Sequence, residues 1–183
     1  MVESFVLRIK NHVASQPRSI TFPPSSADNL GEAEKRLGFS LPPLLKSVYL
    51  QLGNGGFGPG RGGSLIGVKE GYASDFGTLV ETYEQLKRDF TLEGKQWRTT
   101  LLPFCEWGCN IFTCVDCKEP AYPIYLFEDG DVSSKHYTLQ DFFEMWIGGV
   151  DILSYEATAS GTAEVTNPFT GEKSRITKPR KST

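Results

Sequence analysis

Cys105, Cys109, Cys114 and Cys117 fall inside one short segment, and four thiolates brought together could enclose a zinc ion in a closed tetrahedral site. The spacing argues against that chemistry. Paired zinc ligands normally stand a dozen or more residues from the opposing pair, whereas only four residues separate Cys109 from Cys114. Segment 111–115 reads as a strand, where a buried cysteine behaves as a small hydrophobe. Redox chemistry at Cys114-Val115-Asp116-Cys117 lacks the helix N-terminus that would lower a thiol pKa. A small zinc protein is therefore only the third functional reading, and four cysteines this close together point to a reducing compartment rather than a disulfide framework.

Gly53-Asn54-Gly55-Gly56-Phe57-Gly58 satisfies GxGxxG formally, but a phosphate cradle needs those glycines between a strand and the start of a helix. Here they follow a helix, continue through Gly60, Gly62 and Gly63, and are joined by no Lys-Ser or Lys-Thr pair. They read as a turn leading into a flexible surface loop, with Arg61 at its centre. Only His12 and His136 could serve as imidazole bases, and no serine or cysteine sits in a nucleophile-elbow context. Glu128, Asp129 and Asp131 are carboxylates that a hairpin turn uses for its own backbone. No catalytic residue and no cofactor site emerges, and a non-enzymatic protein is expected.

Charge gives a firmer lead. The whole chain carries -3, but Lys173, Arg175, Lys178, Arg180 and Lys181 are concentrated at its end. Setting these and Glu172 aside from 19 basic and 22 acidic residues leaves 14 and 21, a body near -7. Such a body repels phosphate backbones and attracts basic proteins. Eight acidic residues against Lys118 and Lys135 lie between positions 116 and 151. The partner-binding candidates are accordingly Asp116, Glu119, Glu128, Asp129 and Asp131, with Arg61 as an outlier. There is no secretory h-region and no run of 18 apolar residues, so a cytoplasmic protein without membrane contact is expected.

The elements that must position these residues are marked by period and punctuation. Val2, Phe5, Val6, Ile9 and Val13 repeat at helical spacing and should stop before Pro17. Ser25-Ser26-Ala27-Asp28 offers N-caps for a second helix bearing Leu30, Ala33 and Leu37, which Gly38 closes. Pro42 or Pro43 opens a third helix carrying Leu44, Leu45, Val48, Tyr49 and Leu52, ended by Gly53. A strand is expected over 64–68, and Leu79, Tyr83, Leu86 and Phe90 mark a fourth helix. Strand-like runs then occupy 101–104, 111–116, 124–127 and 132–136, paired as antiparallel neighbours, with Glu128-Asp129-Gly130-Asp131 as the last hairpin turn. Thr138 and Asp141 form a capping box for a helix bearing Phe142, Phe143, Trp146 and Val150. Helices early and strands late favour an α+β fold over an alternating one. Residues 1–155 read as one domain, and 156–183 as a polar, basic and mobile C-terminal tail.

The order of Leu30 to Leu37, Gly38, Leu41-Pro42, the helix from Leu44 to Leu52 and Asn54-Gly55-Gly56 resembles the N-terminal signature of the SUKH superfamily, the Smi/Knr-type domains. Leu102-Pro103-Phe104, Trp107-Gly108, a strand closing on Asp116 and the segment from Leu139 to Trp146 resemble its later elements, so the likeness covers about residues 20 to 152. The resemblance implies an α+β domain with a central mixed or antiparallel sheet flanked by helices, and binding without catalysis. It further implies a bacterial immunity protein that neutralises a polymorphic toxin, often a basic nuclease, with an intracellular Smi/Knr-type scaffold or regulator as the alternative. The family has no shared catalytic residues to carry over.

Overall fold

The computed structural model describes residues 2–16, 22–60, 62–157, 162–166 and 173–177. Helix α1 (Val2–Ser15) buries Phe5, Val6, Ile9 and Val13, and ends two residues before Pro17. The Ser26 hydroxyl caps α2 (Ala27–Leu37) by accepting the Asn29 N–H at 3.1 Å, and Gly38 at φ 80° closes it in the left-handed region. A side chain there would strain the backbone. Helix α3 (Pro43–Gln51) starts with proline in its first turn and buries Leu45, Val48 and Tyr49. The fully buried Tyr49 keeps its hydroxyl satisfied by donating to the Ile66 carbonyl at 2.6 Å.

Gly55 and Gly56 then turn the chain at φ 79° and 78°, and β1 follows as only Ser64–Leu65. The strand expected over 64–68 is cut short because the Val68 N–H is taken by the Asn54 side chain at 2.9 Å. One further ladder bond, from Ile66 N–H to the Phe104 carbonyl at 2.9 Å, precedes the bend. The glycine stretch ahead of β1 is packed where it is described. A Cβ on Gly58 would lie 2.6 Å from the Gly63 carbonyl oxygen, and one on Gly63 would meet the Trp107 ring.

Helix α4 (Leu79–Leu92) begins at a complete Thr78–Glu81 capping box. Strands β2 (Leu101–Glu106), β3 (Phe112–Asp116), β4 (Pro123–Glu128) and β5 (Asp131–Thr138) complete a five-stranded meander in the order β1-β2-β3-β4-β5, antiparallel throughout. Phe112 and Phe127 are register partners, and Phe127 meets Phe90 of α4 and Trp97 on one side of the sheet. Phe104 packs edge-on against Phe142 of α5 (Leu139–Ile147). That helix starts at the expected Thr138–Asp141 box, with the Thr138 N–H donating to Asp141 at 2.9 Å and the Asp141 N–H to Thr138 at 3.2 Å. It ends sooner than the apolar pattern suggests. Gly149 at φ 70° donates to Trp146, and Val150 reaches back to the Met145 carbonyl at 2.9 Å, so Val150 lies past the helix in a Schellman-type closure.

Helix α1 belongs to the same core. It packs on α3 and α5, its Arg8 forms a two-pronged ion pair with Glu144 at 2.7 and 2.8 Å, and its His12 ring meets Trp146 edge-on. The stretch read as a tail contains three strands among its described residues: β6 (Glu156–Ala157), β7 (Thr162–Thr166) and β8 (Lys173–Thr177), paired antiparallel in that order.

Candidate protein-binding surface

The five acidic candidates do not form one patch. Asp116 ends β3 and Glu119 lies in the connection that follows, whereas Glu128, Asp129 and Asp131 surround the β4–β5 turn at the other end of β4. Six strand residues from Pro123 to Glu128 separate the two groups by about 17 Å. Arg61 lies outside the described residues.

Asp116 is buried at 2% exposure and its carboxylate is occupied. It accepts from the Thr100 hydroxyl at 2.8 Å, from the Lys118 backbone at 3.1 Å and from the Arg98 guanidinium at 2.8 Å. Burial by itself would raise this pKa, but the three donors outweigh it and hold Asp116 below the ordinary aspartate value. The same Arg98 nitrogen reaches the Tyr125 hydroxyl at 2.7 Å, and the guanidinium lies over the Tyr125 ring at 4.8 Å. Asp116 thus pins an exposed arginine onto a half-buried tyrosine and ties β3, β4 and the segment before β2 together. Arg98, Thr100 and Tyr125 were not among the sequence candidates, and a Trp-Arg-Thr-Thr segment gives no local signal of this role.

Glu119 is exposed, its carbonyl accepting the Tyr122 N–H at 2.9 Å in the β3–β4 turn. At the opposite end, Asp129 and Gly130 both have positive φ, 51° and 78°, as a type I′ hairpin turn requires. The turn leaves Glu128, Asp129 and Asp131 exposed. Lys95, just after α4, donates to the Gly130 carbonyl at 2.7 Å and lies 3.2 Å from Glu93 and 3.7 Å from Asp131. One lysine therefore braces the turn while four carboxylates surround it, Glu93 being the one that sequence order hid.

The cysteines are spread along the β2–β3 hairpin. Cys105 and Cys114 are buried on β2 and β3, Cys109 is exposed at the turn with φ 51°, and Cys117 follows β3. Because β3 itself spans about 13 Å, Cys109 and Cys117 cannot share an ion whose thiolate bonds are about 2.3 Å long. The four thiols are thus not gathered at one point, and no group of three or more metal-ligating side chains occurs among the described residues. Burial raises the thiol pKa of Cys105, Cys114 and Cys117.

The glycine-rich signature has a packing role. Asn54 is 2% exposed; its amide nitrogen donates to the Lys69 carbonyl at 2.9 Å, which fixes the 67–72 loop against the Gly55-Gly56 turn. That loop, α2 and the start of α4 enclose a cleft of about 260 Å³. Both of its basic residues are paired, Lys69 with Glu32 at 3.1 Å and Arg36 with Glu84 at 2.9 Å.

No helix among the described residues is long and apolar enough to cross a membrane. No curated protein matches the chain. The sequence pattern of one family does match, over residues 24–148, and that span takes in α2 through α5 and the whole five-stranded sheet. With that match across most of its length, the chain belongs to the SMI1 / KNR4 family (SUKH-1).

Proposed function

We propose that this protein is a non-enzymatic, cytoplasmic immunity-type protein that binds a basic toxin domain, such as a nuclease, and keeps the toxin's active surface from its substrate. The observation that carries the reading is the exposed carboxylate group at the β4–β5 turn, Glu128, Asp129 and Asp131, held by Lys95 on a rigid two-residue turn. Membership in the SMI1 / KNR4 family supports a role in protein–protein interaction. Nuclease toxins must attract phosphate backbones, so their surfaces are basic, and an acidic body near -7 favours rapid capture of such a partner.

Within this reading the candidates take different parts. Glu128, Asp129 and Asp131 contact the partner, Glu119 adds to the field from the other sheet end, and Arg61 is an outlying contact of opposite charge. Asp116 acts through Arg98 and Tyr125, which it orients. The test is to mix the purified protein with the purified product of each neighbouring toxin-like gene. Tight binding with loss of toxicity is expected; failure of every such product to bind, with cellular housekeeping proteins recovered instead, overturns the immunity role in favour of a scaffold or regulator.

A further inference from the structure

Strand β5 is an edge of the five-stranded sheet: β4 pairs with one side, and among the described residues no strand is hydrogen-bonded to the other. Asp131, Val132, Ser133 and Ser134 are all exposed. Tyr155 meets Tyr137 at 5.7 Å, which puts β6 beside the far end of β5 rather than this one. A free, exposed edge is a template for another strand.

The sequence of the edge is complementary to itself. In a two-residue I′ hairpin the closing pair, here Glu128 and Asp131, turns its backbone groups toward each other, so Val132 and Ser134 turn theirs outward. Two copies placed antiparallel about Ser133 bring Val132 of each opposite Ser134 of the other, and those are the residues with outward backbone groups. The same register sets Asp131 opposite Lys135, twice by symmetry. Shifting the centre to Val132 or Ser134 keeps the backbone pairing but loses both ion pairs.

We infer that the protein forms a twofold symmetric dimer through β5, its partner being a second copy of this chain. The pairing ends where it should. Tyr125 pairs with Ser134 but Pro123 with Thr138, so the regular ladder of β5 runs through Ser134, Lys135 is the first residue past it, and His136 stands at φ 57° in the bulge that follows. A bulge stops a ladder. The opposite sheet edge, β1, has only two residues, so the dimer closes without opening a filament. Five residues a side bury little area, so association is weak and concentration-dependent. The turn residues Glu128 and Asp129 stay outside the seam, which leaves these two of the three proposed toxin contacts available in both copies, while Asp131 is taken up by the seam.

Sedimentation equilibrium of the full chain from about 1 µM to about 1 mM tests this. The 20.3 kDa chain is expected to approach twice its mass at the upper end. Asp131→Lys and Lys135→Asp should each weaken the dimer at least about tenfold, because one reversal makes both symmetry-related pairs repulsive. The double variant D131K/K135D restores opposite charges and should recover most of the lost affinity, with circular dichroism confirming that every variant is folded. A wild-type protein that stays monomeric across the range, including one that takes up only basic peptides, overturns the proposal. So does a dimer indifferent to the single reversals, or a double variant no better than either.

Discussion

The Oδ1 atom of Asn54 accepts the backbone N–H of Val68 at 2.9 Å, and this bond decides what the Asn-Gly-Gly signature is for. Since the N–H can only donate, the orientation of the amide is fixed, and its nitrogen is left to donate to the Lys69 carbonyl. Asn54→Ala strands the buried Val68 N–H and takes from the half-buried Lys69 carbonyl the closer of its two donors, leaving only Asn29 at 3.4 Å. It should cost about 2 to 4 kcal/mol in urea or guanidinium unfolding. Gly71→Ala should be comparably damaging, because a Cβ at Gly71 has no room beside Asn54. A loss under about 0.5 kcal/mol in both variants would mean that the loop is held by something else.

Asp116 makes stability depend on pH in a defined direction. Its folded-state pKa lies below the ordinary value, so its contribution is present above the unfolded aspartate pKa and is lost as pH falls through the folded value. Asp116→Asn should therefore destabilise the protein by about 1 to 3 kcal/mol near neutral pH. The gap from wild type should narrow as pH drops below about 4. Denaturant titrations at a series of pH values check this, and a gap that does not change with pH would contradict it.

What sequence reveals and what it hides divide along contact distance. The Thr138–Asp141 box, the Gly38 closure and the I′ turn at Asp129-Gly130 were legible because each is made by residues within four positions of one another. The burial of Asp116 was not, because Arg98 reaches it, and Tyr125 reaches Arg98, only after β3 has paired with β2 and β4. Counting acidic residues along the chain likewise merged two groups that the length of β4 holds apart. The cysteines show the converse: nearness in sequence became separation, since a hairpin turn and a strand lie between Cys109 and Cys117.

Thiol reactivity should follow that separation. Cys109 is exposed at a turn, while Cys105 and Cys114 are buried and their thiols are held protonated by that burial. A thiol reagent at mildly alkaline pH should modify Cys109 quickly, and Cys109→Ser should abolish the fast phase. Cys105 and Cys114 should react only upon unfolding. Zinc at a small excess should leave the Cys109 rate unchanged, since no neighbouring thiolate is placed to share the ion.

The α5 cap offers a calibrated check on the helix itself. The Thr138 hydroxyl accepts the Asp141 N–H, and Asp141 returns a carboxylate to the Thr138 N–H. Thr138→Ala removes the first bond and should cost about 1 kcal/mol. Asp141→Ala should cost a similar amount or less, and the double variant less than the sum, because the two bonds support one turn. Strict additivity would mean that the caps act independently.

Electrostatic capture predicts where mutations at the β4–β5 turn should register. Exposed charges at an interface rim steer encounter more than they hold the complex, so Glu128→Lys and Asp129→Lys should lower the association rate with a basic toxin domain by about tenfold at low salt. Dissociation should change far less. Raising salt toward 1 M shortens the screening length to about 3 Å and should bring wild type and variants together. Glu119→Lys, about 17 Å away across β4, should have a smaller effect of the same kind. Lys95→Ala frees the Gly130 carbonyl and removes the one positive charge among these carboxylates. If the turn keeps its shape, that variant should associate faster than wild type; if bracing matters more than charge, it should dissociate faster instead. Measuring both rate constants separates these effects, and equal behaviour of all four variants would show that the partner docks elsewhere.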